Sequence, residues 1–257
     1  MSIAKDPLAQ RLTLSLCLTV LVVSCVGVAI ADEVETINAE RPGFSSSPIA
    51  LAPSLFQIEG GYQYTRESSS PDIDDHTLPF AMFRFGLAER LELQLSWSGY
   101  SWTDVGGLDN DGVNDADVGV KWQLTDENSK IPVAVFVGTS LPVGDDEYTS
   151  DEFDPTFGVF WSFDASLSWF GTVLVSESDD DWSLSNAVGI NLPINADTGS
   201  YLEYYSTFTD GSGPEHYLNG GFTYLPRHDM QLDVYAGAGL NSRATDLYVG
   251  MGIAYQF

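Results

Sequence analysis

Near the end of the chain Leu247, Val249, Met251, Ile253, Tyr255 and Phe257 share one parity, and Tyr248, Gly250, Gly252, Ala254 and Gln256 share the other. Strict alternation over about 11 residues has the period of a β-strand and the length of a tilted membrane-spanning one. From Ser54 onward the pattern returns in about 12 segments separated by turn residues. Phe56-Ile58-Tyr62-Tyr64, Leu91-Leu93-Leu95-Trp97, Val118-Val120-Trp122-Leu124 and Leu232-Val234-Ala236-Ala238 are each one face of such a segment. Helical periodicity is absent. The pattern predicts an all-β fold, a transmembrane antiparallel β-barrel of about 12 strands over residues 54–257, because only a closed barrel satisfies every strand hydrogen bond in lipid. A soluble β-sandwich or lipocalin-like barrel alternates in the same way and is the competing fold.

The connections separate the two. Those after even strands are short or plain, such as Ala88-Glu89-Arg90 and Asp164-Ala165-Ser166, whereas those after odd strands are mostly longer and acidic, such as Ser101 to Asn114 and Pro142 to Phe153. Short periplasmic turns and longer external loops have this parity in outer-membrane barrels. Aromatic residues near strand ends, Tyr64, Trp97, Tyr100, Trp122, Trp161, Trp182 and Tyr255, match interfacial girdles.

The N-terminus reads as an export address. Lys5 and Arg11 precede an apolar run from Leu12 to Ile30, and Ala29-Ile30-Ala31 is a small-x-small cleavage site. Residues 1–31 are therefore expected to be a signal peptide, residues 32–53 a periplasmic leader or a lumenal plug, and residues 54–257 the barrel. Val22-Val23-Ser24-Cys25 is a competing lipidation box. Cleavage after Ala31 removes Cys17 and Cys25, the chain's two cysteines, and with them disulfide chemistry.

That cleavage also removes Lys5, Arg11 and Asp6, taking the net charge from −27 to −28. So acidic a chain excludes nucleic acid as a partner, since phosphates require a basic surface. The charge also assigns the faces of the strands. Glu59, Arg84, Glu92, Asp117, Lys121, Glu203 and Asp233 lie on the parity opposite the apolar one, and a central Arg or Lys facing lipid costs about 2–4 kcal/mol. They are the candidate lumen-lining residues. Five acids against two bases give a negative lumen that favours cations; mutual pairing of Arg84 and Lys121 with neighbouring carboxylates is the structural alternative.

Within Asp109-Asn110-Asp111-Gly112-Val113-Asn114-Asp115, the carboxylates of Asp109, Asp111 and Asp115 resemble a calcium loop, although the distal glutamate of that pattern is missing. An acidic solvated turn is the plainer reading. His76, His216 and His228 leave room for an outer-membrane hydrolase, but no nucleophile motif accompanies them. No catalytic set and no cofactor is expected.

Several stretches resemble one family, the Gram-negative outer-membrane transporter proteins described under the meta-pathway of phenol degradation. They are Glu40-Arg41-Pro42-Gly43-Phe44, Phe56 to Tyr62, Phe85 to Leu93, Asp115 to Lys121, Ser140 to Asp145 and Gln231-Leu232-Asp233. The resemblance covers nearly all of the chain after residue 31. It implies a β-barrel uptake or export pore with hydrophobic or aromatic cargo, and it assigns no functional residues. The ending Tyr255-Gln256-Phe257 resembles the C-terminal signal read by the barrel-assembly machinery. Expected partners are that machinery, outer-membrane lipid and lipopolysaccharide, and a small-molecule solute. A passive channel and a non-conducting structural or adhesion barrel both fit these features.

Overall fold

The computed structural model describes residues 36–257 apart from 127 and 179, so the expected signal segment and both cysteines lie outside the described residues. Among the described residues all regular elements are strands: β1 Phe56–Glu67, β2 Ile73–Ala88, β3 Leu91–Trp97, β4 Tyr100–Val105, β5 Leu108–Val113, β6 Ala116–Gln123 and β7 Val133–Leu141 in the first half. β8 Pro155–Asp164, β9 Ser168–Ser178, β10 Asp181–Pro193, β11 Thr198–Thr209, β12 Glu215–Arg227, β13 Met230–Gly239 and β14 Leu247–Gln256 complete the chain. Twelve of them form a closed antiparallel barrel in which each strand pairs with the next, β3 with β6, and β14 returns to β1. Closure leaves no unpaired strand edge for lipid to meet.

The seam between β1 and β14 runs from Gln57 opposite Gln256 to Arg66 opposite Leu247. It is finished by the Phe257 N–H donating to the Phe56 carbonyl at 2.8 Å, with the two rings 5.4 Å apart. Tyr255 and Phe257, expected from sequence as an assembly signal, thus meet the first strand at the barrel's terminus-bearing rim.

Polarity is inverted relative to a soluble protein. The largest fully buried side chains are Arg84, Lys121, Gln57, Glu59, Glu92, Glu203, Thr172 and Ser206, every one of them polar. Leu184, Val188, Leu202, Phe222, Val234, Met251 and Ile253 are exposed instead. An apolar outer band with a polar interior is what the hydrophobic effect selects when the surrounding solvent is hydrocarbon.

The segment Ser101 to Asn114, expected to be an external acidic loop, is instead a hairpin made by β4 and β5. Its turn is Gly106-Gly107, both at positive φ (62° and 89°), as a two-residue hairpin turn requires. β2 runs for 16 residues, against the roughly 9–11 that span a bilayer. Its second half pairs with β3 and its first half, Ile73 to Leu78, with β4. The carboxylates of Asp104, Asp109 and Asp111 hide the strand period in this hairpin. Beyond the apolar band a carboxylate carries no lipid penalty, so polarity no longer alternates there.

Candidate lumenal site

Residues 37–52 carry no regular structure and make a circuit inside the barrel. The circuit starts where the Ile37 N–H donates to the His228 carbonyl at 2.7 Å. The Glu40 and Arg41 N–H groups then donate to the Glu59 carboxylate (3.0 and 3.1 Å), and those of Phe44 and Ser45 to Glu203 (2.8 and 2.9 Å). Ser46 N–H reaches Thr172 Oγ1, Ala50 N–H reaches Gln123 Oε1 at 2.9 Å, and Leu51 N–H reaches Glu92 at 2.7 Å. Those acceptors stand on β1, β11, β9, β6 and β3. An irregular backbone away from water must find partners for its N–H groups, and here the barrel wall supplies them, largely as carboxylates whose charge strengthens each bond.

Side chains lock the same segment. Arg84 donates to Glu92 through Nε at 2.7 Å and lies 3.2 Å from Glu59 and 3.0 Å from Glu40. Lys121 is paired with Glu40 and stands 3.7 Å from Glu92. Glu40, contributed by the inserted segment, and Glu92 on β3 are thus both shared by the two wall cations. Arg41 pairs with Asp233 at 3.1 Å. Its guanidinium rests where Gly61 and Gly252 face each other across the β1–β14 seam, a place where a Cβ on either glycine would overlap it.

Of the seven lumen residues expected from sequence, Glu59, Arg84, Glu92, Lys121, Glu203 and Asp233 are buried, each in contact with the inserted segment. Asp117 shares the face of Lys121 on β6 without reaching that segment. It is half-buried and accepts a hydrogen bond from Ser96 Oγ at 3.3 Å. With Glu40 and Arg41 counted, the interior cluster holds three cations against five carboxylates. Glu40, Arg41 and Phe44 were not among the expected lining residues. The available signal was a charged pair in an irregular segment just before the first strand.

Beside Glu203 on β11 and Asp233 on β13 the wall becomes aromatic. Phe44 stacks on Tyr205 at 4.6 Å and 4°, and Tyr205 on Tyr217 at 4.6 Å and 13°. Tyr248 lies edgewise against Tyr217, and its hydroxyl accepts from that of Tyr205 at 3.0 Å. Tyr235 donates to Gln63 Oε1 at 2.9 Å.

The three carboxylates of the calcium reading are engaged separately. Asp111 accepts a hydrogen bond from the Tyr100 hydroxyl and Asp109 lies opposite Asp104 on β4, whereas Asp115 accepts from the Val143 and Gly144 N–H groups at 2.9 and 2.8 Å. Asp115 thereby ties down the loop between β7 and β8. Among the described residues no group of three or more His, Cys, Asp or Glu side chains is gathered to hold a metal. Of the histidines, His76 Nδ1 is 2.6 Å from the Tyr62 hydroxyl and His216 Nδ1 is 2.7 Å from that of Tyr204; His228 lies in a turn.

The fold has solved relatives. A family model described as "Putative MetA-pathway of phenol degradation" matches residues 39–257. The COG4313 outer membrane channel from Pseudomonas putida F1 superposes with a TM-score of 0.61 at 14% identity, covering 84% of this chain and 99% of that one. The NanC porin gives 0.52 at 11% identity, with 78% and 98% covered. The translocator domain of the autotransporter NalP from Neisseria meningitidis gives 0.51 at 7% identity, with 80% and 90% covered. At these identities the likeness is one of fold. A search of the curated proteins found no match.

Proposed function

The chain belongs to the family described as "Putative MetA-pathway of phenol degradation", and from that premise we propose that it is a passive channel for small solutes, hydrophobic or aromatic ones among them, narrowed by its own residues 37–52. It is an outer-membrane β-barrel of the porin-like type, whose apolar band faces lipid. The observation that carries the reading is the construction of the lumen. A wall made only to fill a barrel has no use for a separate, irregular segment held largely by side-chain carboxylates. A constriction element does, because hydrogen bonds and ion pairs of this kind exchange with water and with one another when the segment shifts. The inserted segment thus plays the part of a plug, and Arg84 and Lys121 hold it through Glu40.

Single-channel recording in planar bilayers tests this directly. The intact barrel is expected to give small discrete steps, and a variant lacking residues 37–52 larger ones. If the variant folds, shown by heat-modifiable migration in gels, yet both proteins are silent, the barrel is structural and its acidic external loops are its working surface.

A further inference from the structure

Beside the extended β2, the β4–β5 hairpin adds two strands to the sheet beyond the apolar band, and the enlarged sheet bends into a concave face of about 850 Å³. Strand register sorts the side chains of that face into two rows. Tyr64, His76, Trp102 and Asp111 stand opposite one another across β1, β2, β4 and β5, and one step farther from the band Arg66, Asp74, Asp104 and Asp109 do the same. Both rows lie on the outside of the barrel, because Tyr64 is also opposite Val249 and Arg66 opposite Leu247, two exposed residues of β14. Toward the band the same face continues as Leu78 opposite Tyr100 and Tyr62 opposite Met251, with Leu78 and Met251 exposed. The concavity therefore sits at headgroup level, with acyl chains on one side of it and water on the other.

Its chemistry is mixed. Asp74, Asp104 and Asp109 are consecutive in the outer row, and like charges directly opposite each other in a sheet repel. The Tyr64 hydroxyl donates to Asp74 and the Gly107 N–H to Asp104, the latter at 2.6 Å, but neither bond removes a charge. Arg66, at the end of the row, has a loose ion pair with Asp72 at 3.5 Å, both side chains being exposed. His76 uses Nδ1 on the Tyr62 hydroxyl at 2.6 Å, which leaves Nε2 as its other hydrogen-bonding atom. An inorganic cation would answer the carboxylates and leave the exposed indole of Trp102 without a role. A phosphorylated sugar answers all of them: its hydroxyls donate to carboxylates, the apolar face of its ring packs on an indole, and its phosphate takes a guanidinium.

We propose that this face binds the phosphorylated sugar headgroup of one outer-leaflet glycolipid, whose acyl chains run down over Leu78 and Met251. Trp102 carries the pyranose ring, Asp104 and Asp109 accept from its hydroxyls, and Arg66 and His76 hold a phosphate. The inference rests on the outer-membrane placement of the barrel and goes beyond the channel reading, since every residue it uses is on the outer face.

Native mass spectrometry of the full barrel, refolded in mild detergent and titrated with bisphosphorylated lipid A or with phosphatidylglycerol, tests it. Saturable binding of a single lipid A is expected, with no discrete phosphatidylglycerol complex. Trp102→Ala and Arg66→Gln should each weaken lipid A binding about tenfold, the scale of an anchoring aromatic or a charged hydrogen bond. Trp102→Tyr should keep most of the affinity, and Trp182→Ala, which removes an exposed tryptophan on β10, should leave it unchanged. Equal losses from Trp102→Ala and Trp182→Ala, or equal binding of the two lipids, would show general girdle contact and overturn the site. So would an affinity that neither Trp102→Ala nor Arg66→Gln moves, with both variants heat-modifiable. The bisphosphorylated disaccharide without acyl chains, if it competes at the same concentration as lipid A, overturns the lipid assignment in favour of a free saccharide. Conductance plays no part in these readings, so a silent barrel would sink the channel and leave the site standing.

Discussion

The interior is decided at a few charged side chains, and their stability follows from how they are paired. Arg84 faces Glu40, Glu59 and Glu92 with no exposure to solvent. Removing one partner of a buried ion pair strands the others, which costs about 3–5 kcal/mol. Arg84→Ala is expected to lower the temperature at which the heat-modifiable band converts, and Arg84→Lys to recover only part of the loss, because a lysine cannot present the guanidinium fork. Thermal gel-shift curves of the two variants check it; equal transitions for all three proteins would mean that water replaces the guanidinium freely. That Arg84 and Lys121 point inward was legible from strand parity and the cost of placing them in lipid. Their shared partner Glu40 was not legible, because an irregular segment has no period to report which way its side chains point.

At the scale of elements, two pieces depart from the simple alternating plan. The β4–β5 hairpin escaped recognition because its outward positions, Asp104, Asp109 and Asp111, are polar where strands inside the apolar band are apolar; alternation is a record of the solvent on each side, and here both sides are wet. The inserted segment depends on two small residues inside strands, the paired glycines Gly61 and Gly252 on which Arg41 rests. Gly252→Ala puts a methyl group in the space of the guanidinium and forces Arg41 away from Asp233. Amide hydrogen exchange over residues 40–46 is expected to speed up by about tenfold or more, as a charged hydrogen bond worth about 1.5–3 kcal/mol is lost, while exchange in the strands stays unchanged. Unchanged exchange at Phe44 and Ser45 would show that Glu203 alone holds the segment.

For the whole molecule, charge is the property that the barrel turns into a field. The chain carries a net −27. The described part of that charge is divided between a lumen cluster with three cations against five carboxylates and a rim that includes Asp145, Asp146 and Glu147 on the loop following β7. The two sets respond differently to salt. Rim carboxylates face water and are screened over about 10 Å at 0.1 M and about 3 Å at 1 M, whereas charges inside a low-dielectric wall are screened much less. If the channel conducts, reversal potentials in a potassium chloride gradient are expected to report cation preference at both salt levels, stronger at the lower one. Asp145→Asn, Asp146→Asn and Glu147→Gln together should remove most of the excess seen at low salt and leave the remainder seen at 1 M. A preference that vanishes entirely at 1 M would place selectivity at the rim and leave the lumen carboxylates with the single task of holding residues 37–52; an anion preference at either level would mean that Arg84, Lys121 and Arg41, rather than the acids around them, face the path of the ion.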